Sequence, residues 1–440
     1  MHGWGLYPVV RGERVRVRDG SELEKLAREA GPPLPQGSCR SYGDACLHDR
    51  VASMLGLDRI VEFDEREGTL RAEAGITIDE ILRVAVPRGW FLPVTPGTRF
   101  VTLGGCISAD VHGKNHHVDG SFGSYVEGID LVVAGGARHS CSRTESPDLF
   151  RAVVGGMGLL GYIREATIRL VRVPSAFVRR RTIAAGGLEE VDRILRETER
   201  GHRYSVAWID GLARGASLGR GIVFAADPAR PEEAPTRDPF DRRIRRSVTV
   251  PARFPGWFLG RGSLRAFNAA YFRRGRRRAG ETVVPLDPFF YPLDALGHWN
   301  RMYGRRGFLQ YQVALPGDSR IDVIRELLER LALLPGGAFL AVLKNLGDPG
   351  ADAGCLSFPV RGSTLAVDVP LRAGVIPRLR ELDRVVLEAG GRVYLAKDAV
   401  LEREVFEGMY PGLAEFRRLK SIHDPGNRFR SRLSDRLGIT

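Results

Sequence analysis

Cysteine is scarce in this 440-residue sequence: Cys39, Cys46, Cys106, Cys141 and Cys355 are thinly spread. An odd count without a CxxC pair or metal-ligand spacing supports neither a disulfide framework nor a zinc site. Long apolar runs are missing too. No segment reaches the roughly 18–20 apolar residues that cross a bilayer, and the opening MHGWGLYPVVRGERVRV lacks a basic stretch followed by an apolar one. The expectation is a water-soluble chain resident in the cytoplasm. Internal repeats and low-complexity tracts are absent, as are a GxGxxG dinucleotide fingerprint and a P-loop.

What is present is ordinary for a globular protein, with 43% hydrophobic and 27% charged residues. The length exceeds what one core usually serves, so two domains are expected. Arginine far outnumbers lysine, and the net charge of +13 favours acidic partners: nucleic acid, anionic lipid or a phosphorylated substrate.

From Arg14 to about Arg172, short β-rich runs alternate with glycine-rich turns and two amphipathic stretches. SELEKLAREAG predicts a helix capped by Ser21, with Glu24 three residues on and Gly31 as its stop. TIDEILRVAVPRG predicts another behind Thr77, and RIVEFDEREGTLRAEAG a hairpin turning at Glu67-Gly68. After Pro174 the pattern changes. FLQYQVALP, FLAVLKNLG and STLAVDVPL read as strands and IDVIRELLERLALL as a helix, giving an α+β unit. Two arginine-dense segments, DPFDRRIRRSVTVPARFP and YFRRGRRRAGETVVP, read as mobile surface loops. The expected division is 1–174, 175–391, and a segment 392–440 that returns to the first domain.

Three glycine-rich stretches carry the chemistry. Gly37-Ser38-Cys39-Arg40-Ser41-Tyr42-Gly43-Asp44 suits a diphosphate. Pro96 to Ile107 leads into His112-Gly113-Lys114-Asn115-His116-His117, and Val154 to Ile163 repeats the theme before a strand. Glycine lets backbone approach a flat ring closely. A metal is not expected at the histidines, because carboxylates and cysteines at suitable spacing are missing.

In order, GSCRSYGDA, PGTRFVTLGGCISADVHGKNHHVDGSFGSYV and LFRAVVGGMGLLGYIREATI resemble the FAD-binding domain of the vanillyl-alcohol oxidase superfamily. Within it the chain is most similar to the decaprenylphosphoryl-β-D-ribose 2′-oxidase family, from GWGLYP through PLDALGHWNRMYGRRGFLQYQVALP to GGRVYLAKDAV. The resemblance implies an α+β, two-domain FAD-binding fold with an antiparallel-sheet substrate domain. It places the diphosphate against Gly37 to Asp44, with Gly97, Thr98, Thr102, Gly104, Gly105, Ser108 and His112 to Asn115 along the other side. Ile163 and Tyr394 complete the flavin pocket. Tyr42 stands where many members carry a flavin-tethering histidine, which implies non-covalent FAD. Lys397, His112 and Tyr311 are the implied catalytic residues, and Tyr311, Lys344, Thr364, Ala366 and Lys397 the substrate contacts. Ala366 replaces a pocket cysteine and Thr364 an asparagine of the family pattern.

The implied reaction is oxidation of a secondary hydroxyl on a polyprenyl-phosphate pentose to a keto sugar. That would be the first half of an epimerisation completed by an NAD(P)H-dependent short-chain reductase. An alternative keeps FAD with a soluble sugar, alditol or sugar nucleotide. A non-enzymatic basic protein binding membrane or nucleic acid is the third reading; no recognition motif supports nucleic acid. Arg242, Arg243, Arg245, Arg246, Arg273, Arg274 and Arg276 to Arg278, with Phe254, Trp257 and Phe258, are candidates for docking peripherally on an anionic membrane face.

Overall fold

The computed structural model describes residues 1–242, 247–255, 258–317 and 320–439. Arg243, Arg245, Arg246 and Trp257 lie outside them. Near the N-terminus, strand Arg50–Ser53 pairs in parallel with Glu13–Arg16 and Leu34–Gln36. A five-stranded antiparallel sheet follows, in the order Ile60–Asp64, Thr69–Glu73, Tyr162–Arg169, Val126–Val132, Arg138–Cys141. Its first two strands are the expected hairpin, turning through Gly68 at φ 73°. Helix Ile78–Ala85 has Thr77 as its cap in a full capping box with Glu80. The other helix, Gly20–Arg28, is capped by Asp19, which accepts from the Ser21 amide. The carboxylate one turn earlier outcompetes the serine as acceptor.

The second sheet has eight strands, all antiparallel, in the order Gly280–Pro285, Phe177–Ala185, Gly221–Pro228, Tyr204–Ile209, Ala341–Leu346, Gly362–Pro370, Phe308–Pro316, Arg392–Val393. Because side chains alternate across a strand, each face is set by residue parity. Ser205 and Ser363 meet helices Leu188–Glu199 and Arg320–Leu333 through Thr198 and Arg320. Their neighbours Val206 and Thr364 face the opposite side, into a large cavity. The fold is thus α+β, with helices covering one face of the larger sheet and a cavity on the other.

Two corrections concern the arginine segments. YFRRGRRRAGETVVP forms the end of a 17-residue helix, Arg261–Arg277, and the edge strand Gly280–Pro285, instead of a loop. Arg242 is buried, not surface-exposed. It pairs with Asp79 at 3.0 Å and Asp287 at 2.9 Å, and Arg99 pairs with the same Asp287 at 3.1 Å. Four alternating charges satisfy one another there, which is what permits their burial.

The segment from Arg392 first adds an edge strand to the eight-stranded sheet. It then crosses to the N-terminal sheets. Lys420 donates to the Leu159 carbonyl at 2.6 Å, and Arg436 clasps Asp44 at 2.9 Å and Asp398 at 2.8 Å.

Candidate active site

One cavity of about 1230 Å³ runs between the two sheet systems, and the three glycine-rich stretches meet in its wall. In the first, Gly37 to Tyr42 line it. Gly43 lies behind, pressed against the segment carrying Lys397: a Cβ there would stand 1.6 Å from the Asp398 carbonyl oxygen. Only glycine allows that approach. Tyr42 N–H donates to the Ala396 carbonyl at 3.1 Å, and Asp44 is held by Arg436. Gly43 and Asp44 therefore position the loop without lining the cavity.

From the second stretch Gly97, Thr98, Thr102, Gly104, Gly105, Ser108, His112, Gly113 and Lys114 line the wall. Leu103–Ser108 is a short helix, with the Thr102 hydroxyl accepting from Gly105 N–H at 3.2 Å. Asn115 is turned away; its amide donates to the Pro93 carbonyl at 2.7 Å. The third stretch is fastened to the second by Gly155 N–H to Ile107 O and Met157 N–H to Ser108 O. It contributes Met157, Gly158, Gly161 and Ile163. Gly161 sits at φ 141°, with its α-carbon against Val132, where any side chain would collide.

These features fit FAD. Among the described residues the amides of Ser38, Cys39, Arg40 and Ser41 have no internal acceptor, and the buried Arg40 Nε has no partner. Such a row of free donors suits an anionic diphosphate. The thin glycine walls and the stretch from Pro35 and Met54 to Lys397 give an elongated ligand room.

Lysine chemistry gathers at the other end. The chain has five lysines, Lys25, Lys114, Lys344, Lys397 and Lys420; three of them, Lys114, Lys344 and Lys397, line this cavity. Lys397 Nζ stands 3.9 Å from the centre of the Tyr42 ring. Burial lowers its ammonium to about 8, opposed by the nearby Asp368. Lys114 donates to the Phe290 carbonyl at 2.9 Å and is also lowered to about 8 by burial. Lys344 donates to the Gly113 carbonyl at 2.9 Å, and burial beside Lys114 and Lys397 holds it well below the usual lysine range.

His112 is buried, and burial together with Lys344 keeps its imidazole neutral. Its Nε2 accepts from Gln312 Nε2 at 2.9 Å, and the same amide donates to Thr364 Oγ1 at 3.2 Å. Tyr394, also in the wall, donates to the Ala109 carbonyl at 2.8 Å. Thr364 and Ala366 line the cavity beside it. His116 and His117 point elsewhere, to Gly347 N–H and the His202 carbonyl. Among the described residues no cluster of three or more His, Cys, Asp or Glu could hold a metal ion.

Tyr311 needs correcting. Gln310 and Gln312 line the cavity, so Tyr311 between them points through the opposite face of strand Phe308–Pro316. It faces Asp383 of helix Val375–Glu388, whose carboxyl burial raises to about 8.

Among the wall residues that escaped the sequence reading are the polar Gln310, Gln312 and Asp368. Asp368 accepts from Gln310 Nε2 at 2.6 Å and Tyr303 OH at 3.1 Å, and burial raises its carboxyl to about 7. The signal was available in FLQYQVALP: polar residues two apart share one face of a strand.

Residues 15–142 match the family model described as an FAD binding domain. The chain is 36% identical over 425 residues to decaprenylphosphoryl-beta-D-ribose oxidase of Mycolicibacterium smegmatis, covering 95% of this chain and 92% of that protein. It is 37% identical over 378 residues to an uncharacterized protein in the mprA 5′ region of Streptomyces coelicolor, covering 83% and 100%. A shorter similarity, 30% over 183 residues, links it to Delta(24)-sterol reductase of Homo sapiens, covering 41% of this chain and 34% of that one. The chain therefore belongs to the decaprenylphosphoryl-β-D-ribose oxidase family and is an FAD-dependent oxidoreductase.

Proposed function

We propose that the protein oxidises a secondary ring hydroxyl of a pentose linked through phosphate to a polyprenyl chain, giving a keto sugar. The observation that carries this reading is the junction, in one cavity, of the glycine-lined arm with a polar chamber holding Lys397, Asp368, Gln312 and His112. Bound FAD supplies the acceptor for the hydride leaving the carbinol carbon. The chain's own groups handle the proton and the positioning. Asp368, poised near neutrality, takes the hydroxyl proton. Lys397, a cation in a desolvated wall, stabilises the negative charge that develops on the carbinol oxygen as its proton leaves. Gln312, pinned between His112 and Thr364, orients the sugar.

Tyr42 supplies no imidazole for a histidyl bond, so the cofactor is held without a covalent link. The keto product is the natural substrate of an NAD(P)H-dependent reductase, which would return hydride to the opposite face. No described helix is long and apolar enough to cross a membrane; the exposed arginines Arg273, Arg274 and Arg276 to Arg278 support contact with an anionic bilayer that carries the substrate.

The test is anaerobic mixing of the flavin-loaded protein with farnesylphosphoryl-ribose. Bleaching of the flavin band with formation of a keto sugar is expected. Bleaching by free sugars alone, and by no lipid-linked pentose, would overturn the substrate assignment.

A further inference from the structure

Helix Arg261–Arg277 is unusual for a helix lying over a sheet, because it buries only Leu264 and Asn268. Ordinary packing would press a continuous apolar stripe onto the strands. Here polar pegs hold the helix instead. Arg261 donates to the carbonyls of Ala332 at 2.7 Å and Leu334 at 3.2 Å, and Asn268 donates to Asp210 at 2.7 Å. At the far end Gly275 meets Ile222, where a Cβ would come within 2.6 Å. Between these supports Phe267 and Tyr271 face Val206, Trp208 and Phe224 across a slot that is part of the same cavity as Lys397. The Trp208 and Tyr271 rings touch, with 4.6 Å between their centres, so that together with Asn268 and Gly275 they seat one face of the helix on the sheet, while Phe267 remains 49% exposed.

The slot has a direction. Its floor crosses the sheet from Ala366 through Val342, which is paired with both Ala366 and Trp208, to Phe224 and then Arg180. Those side chains stand on five successive strands, so four inter-strand spacings span roughly 19 Å. The helix that flanks it, 17 residues, is roughly 25 Å long. Polar groups lie at the Lys397 end and apolar ones along the middle. At the outer end are Arg180, with a buried and unpartnered Nε, and the exposed Arg273, Arg274 and Arg276 to Arg278.

We propose that this slot is the channel for the substrate's polyprenyl chain: the sugar phosphate sits at the Lys397 end, and the chain runs along the flank of the helix to emerge at its basic end on an anionic bilayer. This rests on the oxidase reading above. A long flexible apolar chain suits a groove with apolar groups on both walls. The arginines complement anionic headgroups where the chain meets the membrane.

The experiment compares kcat/KM for decaprenylphosphoryl-ribose and geranylphosphoryl-ribose. Wild-type protein should prefer the long chain by about tenfold or more, because each buried methylene adds binding free energy. Gly262 lines the slot and has nothing within 4 Å of a Cβ position, so a side chain can start there without strain and Gly262→Trp adds bulk at the channel wall. The long-to-short ratio should then fall at least about tenfold, one 1.4 kcal/mol step, through KM for the long chain; an unchanged flavin spectrum shows the fold intact. As a second measurement, geranylphosphoryl-ribose carrying a terminal diazirine should label peptides from 204–228 and 261–277. Equal kcat/KM for both chains in the wild type, a ratio indifferent to Gly262→Trp, or labelling elsewhere would overturn the channel and leave the oxidase standing. Failure to turn over any lipid-linked pentose would remove both.

Discussion

Burial brings the Asp368 carboxyl up to about 7 and the Lys397 ammonium down to about 8, so both change charge within a narrow pH interval. In the mechanism we propose, activity requires Asp368 deprotonated and Lys397 protonated. Hence kcat/KM should rise as pH climbs through about 7 and decline through about 8. Asp368→Asn should abolish the rising limb and cost roughly 10²-fold or more in kcat; Lys397→Met should abolish the falling limb with a similar loss. A pH–rate series on the two variants checks both. If the flavin is held without a covalent link, as we propose, acid precipitation of the holoprotein should leave all flavin in the supernatant; flavin retained in the pellet would contradict it. At this scale the sequence was most legible in its lysines. In a chain where arginine does the surface work, a rare amine that burial can tune marks a site, and three of five are in the cavity. Tyr311 misled because its chemistry suits a pocket while its parity in the strand turns it away.

Elements were readable wherever a local rule decided them. Thr77 with Glu80 and the hairpin at Gly68 are specified by neighbours in sequence. The fate of Arg242 was not, because its partners Asp79 and Asp287 come from distant elements that only the fold assembles. Helix Arg261–Arg277 was hidden for a related reason: its apolar residues serve a slot instead of a core, so the periodic stripe that announces a helix is weak. The buried charges make a sharp prediction. Asp287→Ala strands Arg99 and Arg242 with one carboxylate between them, and should destabilise the protein by about 3–5 kcal/mol, read as a lowered thermal midpoint. Asp287→Asn, which keeps the shape and two hydrogen-bonding atoms, should cost less. Equal melting of Asp287→Ala and wild type would mean that the ring contributes nothing net.

On the scale of the whole molecule, the change of character after Pro174 and the glycine-rich stretches foretold two sheet systems, and the cavity forms where they meet. The cavity's shape was not legible, since it depends on which faces of eight strands look inward. With a net charge of +13 and a basic helix end beside the slot, the protein should co-sediment with phosphatidylglycerol vesicles and be released as salt shortens the screening length. Neutral phosphatidylcholine vesicles should retain far less. Binding that ignores both lipid charge and salt would refute an electrostatic contact. The clasp of Arg436 on Asp44 closes a span of 392 residues, and it braces the loop that Gly43 presses against Asp398. A nucleotide cradle thus waits for a brace translated 392 residues later. Cofactor loading should therefore follow synthesis of that brace, and ribosome-arrested chains ending before Lys397 should emerge colourless.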